Sequence, residues 1–218
     1  MNANFFRSGT FAVAVAALPV LFAYPANAEF KSGDLYAAFS GHAVGPEFYT
    51  TTANSTRNTN RGHRIGIAVG YDFNPVRIEA EATQIQTPPK TTSHPLVNGG
   101  AETPMFGTIT HRVLMLNGYY DFDLDGPFTP YLGVGAGLAK QSINLSASGF
   151  PSASGSDRII AWQVIIGTAY EITKKVELTA DFRYFDTSNP SFTSSSGSTY
   201  TVKGDAMQQF GIGLRYHF

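Results

Sequence analysis

The sequence predicts an all-β fold, an eight-stranded antiparallel up-and-down barrel, and three observations support this prediction. The first is that large apolar residues alternate with small or polar residues in run after run along the chain. A period of two is typical of a strand whose two faces meet different surroundings. The last nine residues show the pattern most plainly, with one face formed by Phe210, Ile212, Leu214, Tyr216 and Phe218.

The second observation is an internal repeat. Four alternating runs end on an aromatic–polar–apolar triplet, and the triplets are 49, 50 and 46 residues apart, beginning at Tyr71, Tyr120, Tyr170 and Tyr216. Each repeat has the length of an outgoing strand, a long connection and a returning strand. Four such repeats give eight strands.

The third observation is that short and long connections alternate. Short turns are predicted at about residues 74–75, 123–127 and 173–175, and long polar loops at residues 43–62, 87–107, 141–157 and 187–203. The Asn74-Pro75 pair is a typical turn sequence. In chain order, the predicted strands are residues 33–42, 63–73, 76–86, 108–122, 128–140, 158–172, 176–186 and the run that ends at Phe218.

Residues 1–28 are predicted to be a cleaved signal peptide. Arg7 gives a positive start, Phe11 to Phe22 is a short apolar run, and Ala26-Asn27-Ala28 forms a small-x-small cleavage site. A retained membrane helix would need about 20 consecutive apolar residues, and Pro19 interrupts this run. We therefore expect export followed by cleavage.

The mature chain would be a single domain, residues 29–218, that balances 14 basic against 16 acidic residues. This near-neutral charge argues against a nucleic acid partner. The sequence contains no cysteine, which excludes a disulfide framework and thiol chemistry. Mean hydropathy is close to zero, so a mature chain in a membrane would cross it with strands.

The sequence also indicates which face of the sheet points outward. Aromatic residues collect beside the short turns, as in an interfacial girdle. The opposite face combines small residues with charges of both signs and almost no lysine, which suits the filled interior of a narrow barrel better than the surface of a soluble one. We therefore predict an eight-stranded transmembrane β-barrel with short periplasmic turns and four long extracellular loops, rather than a soluble ligand-binding barrel.

Several motifs resemble known proteins. The runs Asn117–Phe122, Pro130–Gly137 and Phe182–Asp186 resemble the opacity-type, OmpA-like family of small outer-membrane β-barrel surface proteins. The terminal run Phe210–Phe218 looks like the strand that the bacterial barrel-assembly machinery recognises. The resemblance covers essentially the whole mature chain and implies a Gram-negative outer-membrane location. It leaves the activity open, since members of this family are adhesins, surface antigens or small porin-like proteins.

The charged residues on the inward face are the candidate site. We predict that they form a network of ion pairs in the lumen, because an unpaired charge there would be costly. The predicted members are Arg64, Asp72, Arg77, Glu79, Glu81, Asp121, Glu171, Glu177, Asp181, Arg183 and Arg215, with His111 and His217 on the same face. The alternative is a narrow hydrated path for small ions.

The sequence does not predict an enzyme. Asp186-Thr187-Ser188-Asn189 has part of the His-x-Ser-Asn motif of outer-membrane lipid A deacylases, but Asp186 stands where the histidine should be, so Ser188 lacks an activating base. The five histidines show no metal-ligand spacing. The glycines at 133, 135 and 137 lie within a strand, so we expect them to make room for bulky side chains rather than to form a nucleotide loop.

We expect no cofactor and a monomeric protein. Its expected partners are outer-membrane lipid and lipopolysaccharide, the assembly machinery, and host surface molecules that contact the loops. The expected role is that of a structural or adhesive surface antigen, with a small porin-like channel as the alternative.

Overall fold

The computed structural model describes residues 34–46, 48–51, 56–94, 96, 99–124, 126–193, 199–204 and 206–218, all within one compact unit, Lys31–Phe218. Eight long strands are present: β1 (Asp34–Val44), β4 (Gly62–Asp72), β5 (Val76–Thr87), β7 (Thr103–Asp121), β8 (Phe128–Ala147), β9 (Phe150–Thr173), β10 (Val176–Thr187) and β13 (Met207–His217). Five short strands lie between them: β2 (Phe48–Thr51), β3 (Thr56–Thr59), β6 (Pro89–Ser93), β11 (Ser191–Thr193) and β12 (Thr199–Gly204). The predicted signal peptide, residues 1–28, lies outside the described residues and stays a prediction.

The eight long strands close into an antiparallel barrel, as predicted. Strand β1 lies between β4 and β13, so that Ala37 is opposite Val69 on one side and Tyr216 on the other. Each remaining long strand pairs with its neighbour in chain order, and β10 pairs with β13. Within the barrel, closure leaves no long strand with an unpaired edge, which hydrocarbon requires because it offers the backbone no hydrogen-bond partners.

The apolar face points outward and the polar face points into the lumen, which confirms the predicted sidedness. Ile67 and Leu114 are 63% and 66% exposed, whereas Arg64 is 1% exposed. The same alternation of exposed and buried residues runs along β4, β5, β7 and β13. A soluble barrel would have the opposite arrangement. Among the described residues, no helix is long and apolar enough to cross a membrane.

Aromatic pairs surround the end of the barrel that carries the short turns. Their ring centroids are 4.7–5.3 Å apart, in the pairs Tyr71–Phe73, Tyr120–Phe122, Phe128–Tyr170 and Tyr216–Phe218. Aromatic rings favour the membrane interface because they are apolar yet polarisable and, in tyrosine, carry a hydroxyl. This ring of side chains is the predicted girdle, and the short turns beside it mark the periplasmic end.

The third long connection differs from the predicted loop. Residues 141–157 form a β-hairpin instead, since β8 continues to Ala147, β9 begins at Phe150 and only Ser148 and Gly149 connect them. Gly149 adopts a φ of 77°, a conformation that glycine reaches without strain. The Ser- and Ala-rich composition suggested a loop, but Ile143 and Leu145 continue the period of two and are buried.

The other extracellular connections also contain strands. The short strands join the upper part of β7 in one hydrogen-bonded sheet with the order β11-β12-β2-β3-β6-β7. An apolar cluster lies beneath this extension and is formed by Met105, Ile109, Ile143, Leu145 and Val202, with Ala147 packed against it. The predicted loops 43–62, 87–107 and 187–203 therefore contain strands, which build a sheet above the barrel with a small core of its own.

Candidate functional site

The lumen network is centred on the carboxylate of Glu81, on β5. Arg64 Nη2 donates to Glu81 Oε1 at 2.7 Å, and Arg183 Nη1 donates to both carboxylate oxygens at 2.9 and 3.0 Å. All three side chains are buried. Hydrogen bonds between charged partners are strong, and sharing one carboxylate between two guanidinium groups offsets the cost of removing all three from water.

Amide side chains complete the shell around this centre. Asn117 Nδ2 and Gln163 Nε2 donate to Glu81 Oε2 at 3.1 and 3.2 Å. Arg64 Nη1 in turn donates to Gln209 Oε1 at 2.7 Å and to Gln163 Oε1 at 3.2 Å. These contacts link β4, β5, β7, β9 and β13 across the lumen, so the network ties together strands that are not neighbours in the sheet.

A second carboxylate, Glu79, is held by tyrosines. Tyr36 Oη donates to Glu79 Oε2 at 3.1 Å, and Tyr119 Oη donates to Oε1 at 2.9 Å. Asn117 also donates to Oε1, at 3.2 Å, and thereby links Glu79 to Glu81. The phenol groups satisfy a buried carboxylate without adding a further charge.

Arg77 forms the layer below, toward the periplasm. Its guanidinium group forms a bidentate ion pair with the carboxylate of Asp121 and donates a hydrogen bond to Tyr36 Oη at 3.2 Å. Its Cζ atom lies 4.5 and 5.3 Å from the ring centroids of Tyr119 and Tyr131. Arginine suits this position because its flat group can pair with a carboxylate and stack on aromatic rings together.

Two further pairs lie on the β10 side of the lumen. Asp181 accepts from Arg183 Nε at 2.7 Å, and its Oδ1 is 2.8 Å from His42 Nε2. Near the periplasmic mouth, Arg215 pairs with Glu177 at 2.5 Å, and His217 Nε2 lies 3.4 Å from the same carboxylate. Together, four guanidinium groups and five carboxylates make these contacts among the described residues of the lumen.

The structure brings nine of the eleven predicted residues into these contacts and places two elsewhere. Asp72 is half-buried and accepts from the backbone N–H of Asn74 at 2.7 Å, so it stabilises the turn. Glu171 is exposed at the periplasmic end and takes no part in the network among the described contacts. Of the two histidines predicted on this face, His111 is buried above the network and His217 lies at the mouth.

The lumen network also contains seven side chains that were not among the predicted residues. These are Tyr36, His42, Asn117, Tyr119, Tyr131, Gln163 and Gln209. A signal was present in the sequence, since all seven occupy inward positions in the period of two.

The buried tyrosines fit the lumen because glycines lie directly opposite them. The cross-strand partners are Tyr36 with Gly70, Tyr119 with Gly133 and Tyr131 with Gly167. A Cβ atom at Gly133 would be only 2.5 Å from Tyr119 Cδ1. Each tyrosine ring therefore lies against a glycine on the neighbouring strand, where there is no side chain to obstruct it. Gly133 thus makes room for a bulky side chain, as expected from the sequence.

An apolar layer lies across the lumen on the extracellular side of the network. It consists of Val44, Ile85, Val113, Met115, Ala139, Ile159, Ala161, Phe185 and Met207. The network itself leaves a small cavity of about 30 Å³ beside Glu79, Glu81 and Arg183. Polar and apolar side chains thus fill the lumen in two successive layers.

The Ser-Asn motif belongs to the edge of the barrel. Ser188 Oγ accepts from the backbone N–H of Ile160 at 3.1 Å, and Ser188 N donates to Ile160 O at 2.8 Å. Asp186 accepts from Thr187 N at 2.7 Å. These contacts extend the pairing of β10 with β9. Among the described residues, no three His, Asp or Glu side chains are grouped to hold a metal ion.

Comparison with known proteins agrees with this architecture. The outer membrane protein beta-barrel domain family matches residues 13–218. The chain is 28% identical to the outer membrane protein PagN of Salmonella typhimurium over 94% of this chain and 98% of that one. It is also 32% identical to an outer membrane protein of Gluconacetobacter diazotrophicus over 69% of this chain and 45% of that one.

Solved structures show the same fold. Neisserial surface protein A is similar over 86% of this chain and 100% of its own, with 18% identity and a TM-score of 0.56. OprG of Pseudomonas aeruginosa is similar over 87% of this chain and 98% of its own, with 15% identity and a TM-score of 0.59. The chain therefore belongs to the outer membrane protein β-barrel domain family and lies in the bacterial outer membrane.

Proposed function

We propose that this protein is a non-conducting surface protein whose extracellular sheet provides a contact surface, in a structural or adhesive role. The observation that supports this most is the combination of a filled lumen with an ordered extension. Polar and apolar side chains fill the lumen around a cavity of about 30 Å³, while β7, β8 and β9 continue for 19, 20 and 24 residues. About 9–11 residues are enough for a tilted strand to cross the hydrocarbon.

The extension offers the kind of surface that binds partners. Its composition is rich in Ser, Thr and Asn, which supply hydrogen bonds with little charge. Two large apolar residues stand out on it, since Phe106 is 68% and Leu96 is 91% exposed. Aromatic side chains are enriched in the core of protein interfaces, which makes Phe106 the stronger of these two candidate anchors. We infer that host surface molecules make contact here.

The alternative is a small porin-like channel. The apolar layer formed by Val113, Met115, Phe185 and their neighbours argues against it, because an ion crossing that layer would lose its water without gaining polar ligands. The Arg64–Glu81–Arg183 cluster below would also have to open.

Attachment assays with a deletion strain test the contact role. We expect the strain to lose attachment to host cells and to regain it with the wild-type gene. It should stay non-adherent when complemented by a variant in which residues 143–155 are replaced by an Asn-Gly turn. Ser142 and Ser156 are cross-strand partners, so a two-residue turn can join them. A second, smaller change is Phe106→Ser, which removes one exposed aromatic side chain and should reduce attachment.

Heat-modifiable migration on gels verifies that each variant still forms a barrel. The proposal is contradicted if the deletion strain attaches normally but loses permeability to small solutes. It is also contradicted if both variants restore attachment fully, since the sheet would then not be the contact surface.

A further inference from the structure

Three basic residues form a row on the outer face of the barrel. Arg112 on β7 is the cross-strand partner of Lys140 on β8, and Lys140 is in turn the partner of Arg158 on β9. Gln84 on β5 extends the row on the other side, opposite Arg112. The three basic side chains are exposed. We call Arg112, Lys140 and Arg158 the basic row.

The basic row places three positive charges side by side on the exposed surface. Among the described residues, no carboxylate forms an ion pair with any of its three members. The nearest acidic residue in sequence, Asp157, is used by the backbone, because it accepts from Arg158 N and Ser191 N at 2.8 Å. Like charges directly opposite one another destabilise a sheet unless an anion lies between them.

The position of the basic row matches the headgroups of the outer leaflet. The residues one step nearer the periplasm on the same face are Leu114, Leu138 and Ile160, all strongly exposed and apolar. The residues one step farther out are Thr110, Ser142 and Ser156. The change from apolar to polar therefore occurs at the basic row, on the end of the barrel opposite the aromatic girdle.

A groove on the lipid-facing surface begins at the basic row. Ala82, on β5, lies between the larger side chains of Ile67 on β4 and Leu114 on β7. The resulting depression has a volume of about 670 Å³ and is lined by apolar residues together with all three members of the basic row. A second depression of about 460 Å³ continues along β5 past Ala80.

We propose that this surface is a binding site for a phosphorylated glycolipid of the outer leaflet. The basic row binds the phosphate groups of the headgroup, and the groove along Ala80 and Ala82 receives an acyl chain. Arginine and lysine are the side chains best suited to phosphate, and a phosphate bound between the strands removes the repulsion within the row. The site is independent of whether the extracellular sheet binds a partner.

Native mass spectrometry of the purified mature protein in detergent micelles tests the site with three probes. The probes are lipid A with both phosphates, the same glycolipid without phosphates, and its water-soluble disaccharide bisphosphate without acyl chains. We expect the first probe to bind and the other two to bind at least about tenfold more weakly. The dephosphorylated probe loses charged hydrogen bonds, and the chain-free probe loses the burial of its acyl chain.

Matched variants separate the basic row from charge in general. Arg112→Gln, Lys140→Gln and Arg158→Gln together should abolish the preference for the phosphorylated probe. The control combines Arg61→Gln, Lys90→Gln and Lys203→Gln, which removes the same charge from three other exposed positions and should bind like wild type. Ala82→Leu fills the groove and should weaken binding of lipid A to the level of the chain-free probe.

Heat-modifiable migration verifies that each variant forms a barrel. Equal binding of lipid A by the row variant and wild type overturns the proposal, and so does equal weakening by the row variant and the control. Equal binding of the dephosphorylated probe would mean that phosphate is not recognised, and equal binding of the chain-free probe would mean a site for soluble anions. Either result also overturns the proposal.

Discussion

At the scale of single residues, the fold depends on charges that are buried and paired. Among the described residues, Glu81 is the only carboxylate that forms an ion pair with Arg64, which is 1% exposed, and it also binds Arg183. We expect Glu81→Gln to lower the free energy of unfolding by about 3 kcal/mol, because it leaves a buried guanidinium group without a counter-charge. Urea unfolding in lipid vesicles, followed by the fluorescence of the single tryptophan, Trp162, measures this change.

Glu171→Gln is the matched control for this variant. Glu171 occupies an inward position in the alternation, yet it is exposed beside the periplasmic turn. Its neutralisation should change stability by less than about 0.5 kcal/mol, as is usual for surface positions. If Glu81→Gln and Glu171→Gln destabilise the protein equally, Glu81 is not at the centre of the network and Glu171 is not outside it.

Gly133 provides a second test at this scale. A methyl group there would press on the ring of Tyr119, whose hydroxyl binds Glu79 at 2.9 Å. We expect Gly133→Ala to destabilise the barrel by about 1–3 kcal/mol, the usual cost of overpacking. Gly118→Ala serves as control, because a Cβ atom at Gly118 has no neighbour within 4 Å. If both substitutions are equally tolerated in urea unfolding, the tyrosine–glycine pairs do not shape the lumen.

The sequence predicted which charges share the inward face but not which of them meet. The period of two assigns Arg64 and Arg183 to the same side of the sheet, and this needs no knowledge of the register. The pairing of Tyr119 with Gly133 does depend on the register between β7 and β8, which no local pattern specifies. The exposure of Glu171 was not predictable either, because it depends on where β9 leaves the lumen at the periplasmic end.

At the scale of elements, the β8–β9 hairpin is the clearest difference between composition and structure. Residues 141–157 read as a Ser/Ala/Gly loop, but Ile143 and Leu145 pack into the apolar cluster with Met105 and Ile109. Polar and small residues on the outer side of the hairpin masked the alternation. Above the membrane the outer face meets water, so the apolar residues there are needed on only one face.

Hydrogen exchange distinguishes this hairpin from a loop. We expect the amides of residues 141–145 to exchange slowly in the micelle-bound protein, because these residues pair with β7 on one side and with β9 on the other. In β9, the alternate amides of residues 153–157 that point to β8 should also exchange slowly. The turn at Ser148 and Gly149 should exchange fast and serves as the internal reference. Uniformly fast exchange across residues 141–157 would restore the loop interpretation.

At the scale of the whole molecule, closure and filling of the barrel are linked. An eight-stranded barrel is just wide enough for its interior side chains to meet, and here they meet in a polar layer beneath an apolar one. Strand number and sidedness were predictable from the repeat and the girdle. The layering was not, because it requires the axial position of residues such as Phe185 and Met115, which strand tilt and register set together.

Planar-bilayer recording of the purified protein is the most direct test of a sealed lumen. The barrel, inserted in a verified orientation and at voltages of both signs, should give no conductance steps, while an open porin prepared in the same way gives regular ones. Discrete, reproducible steps from the wild-type protein would contradict a filled lumen and favour the porin-like alternative.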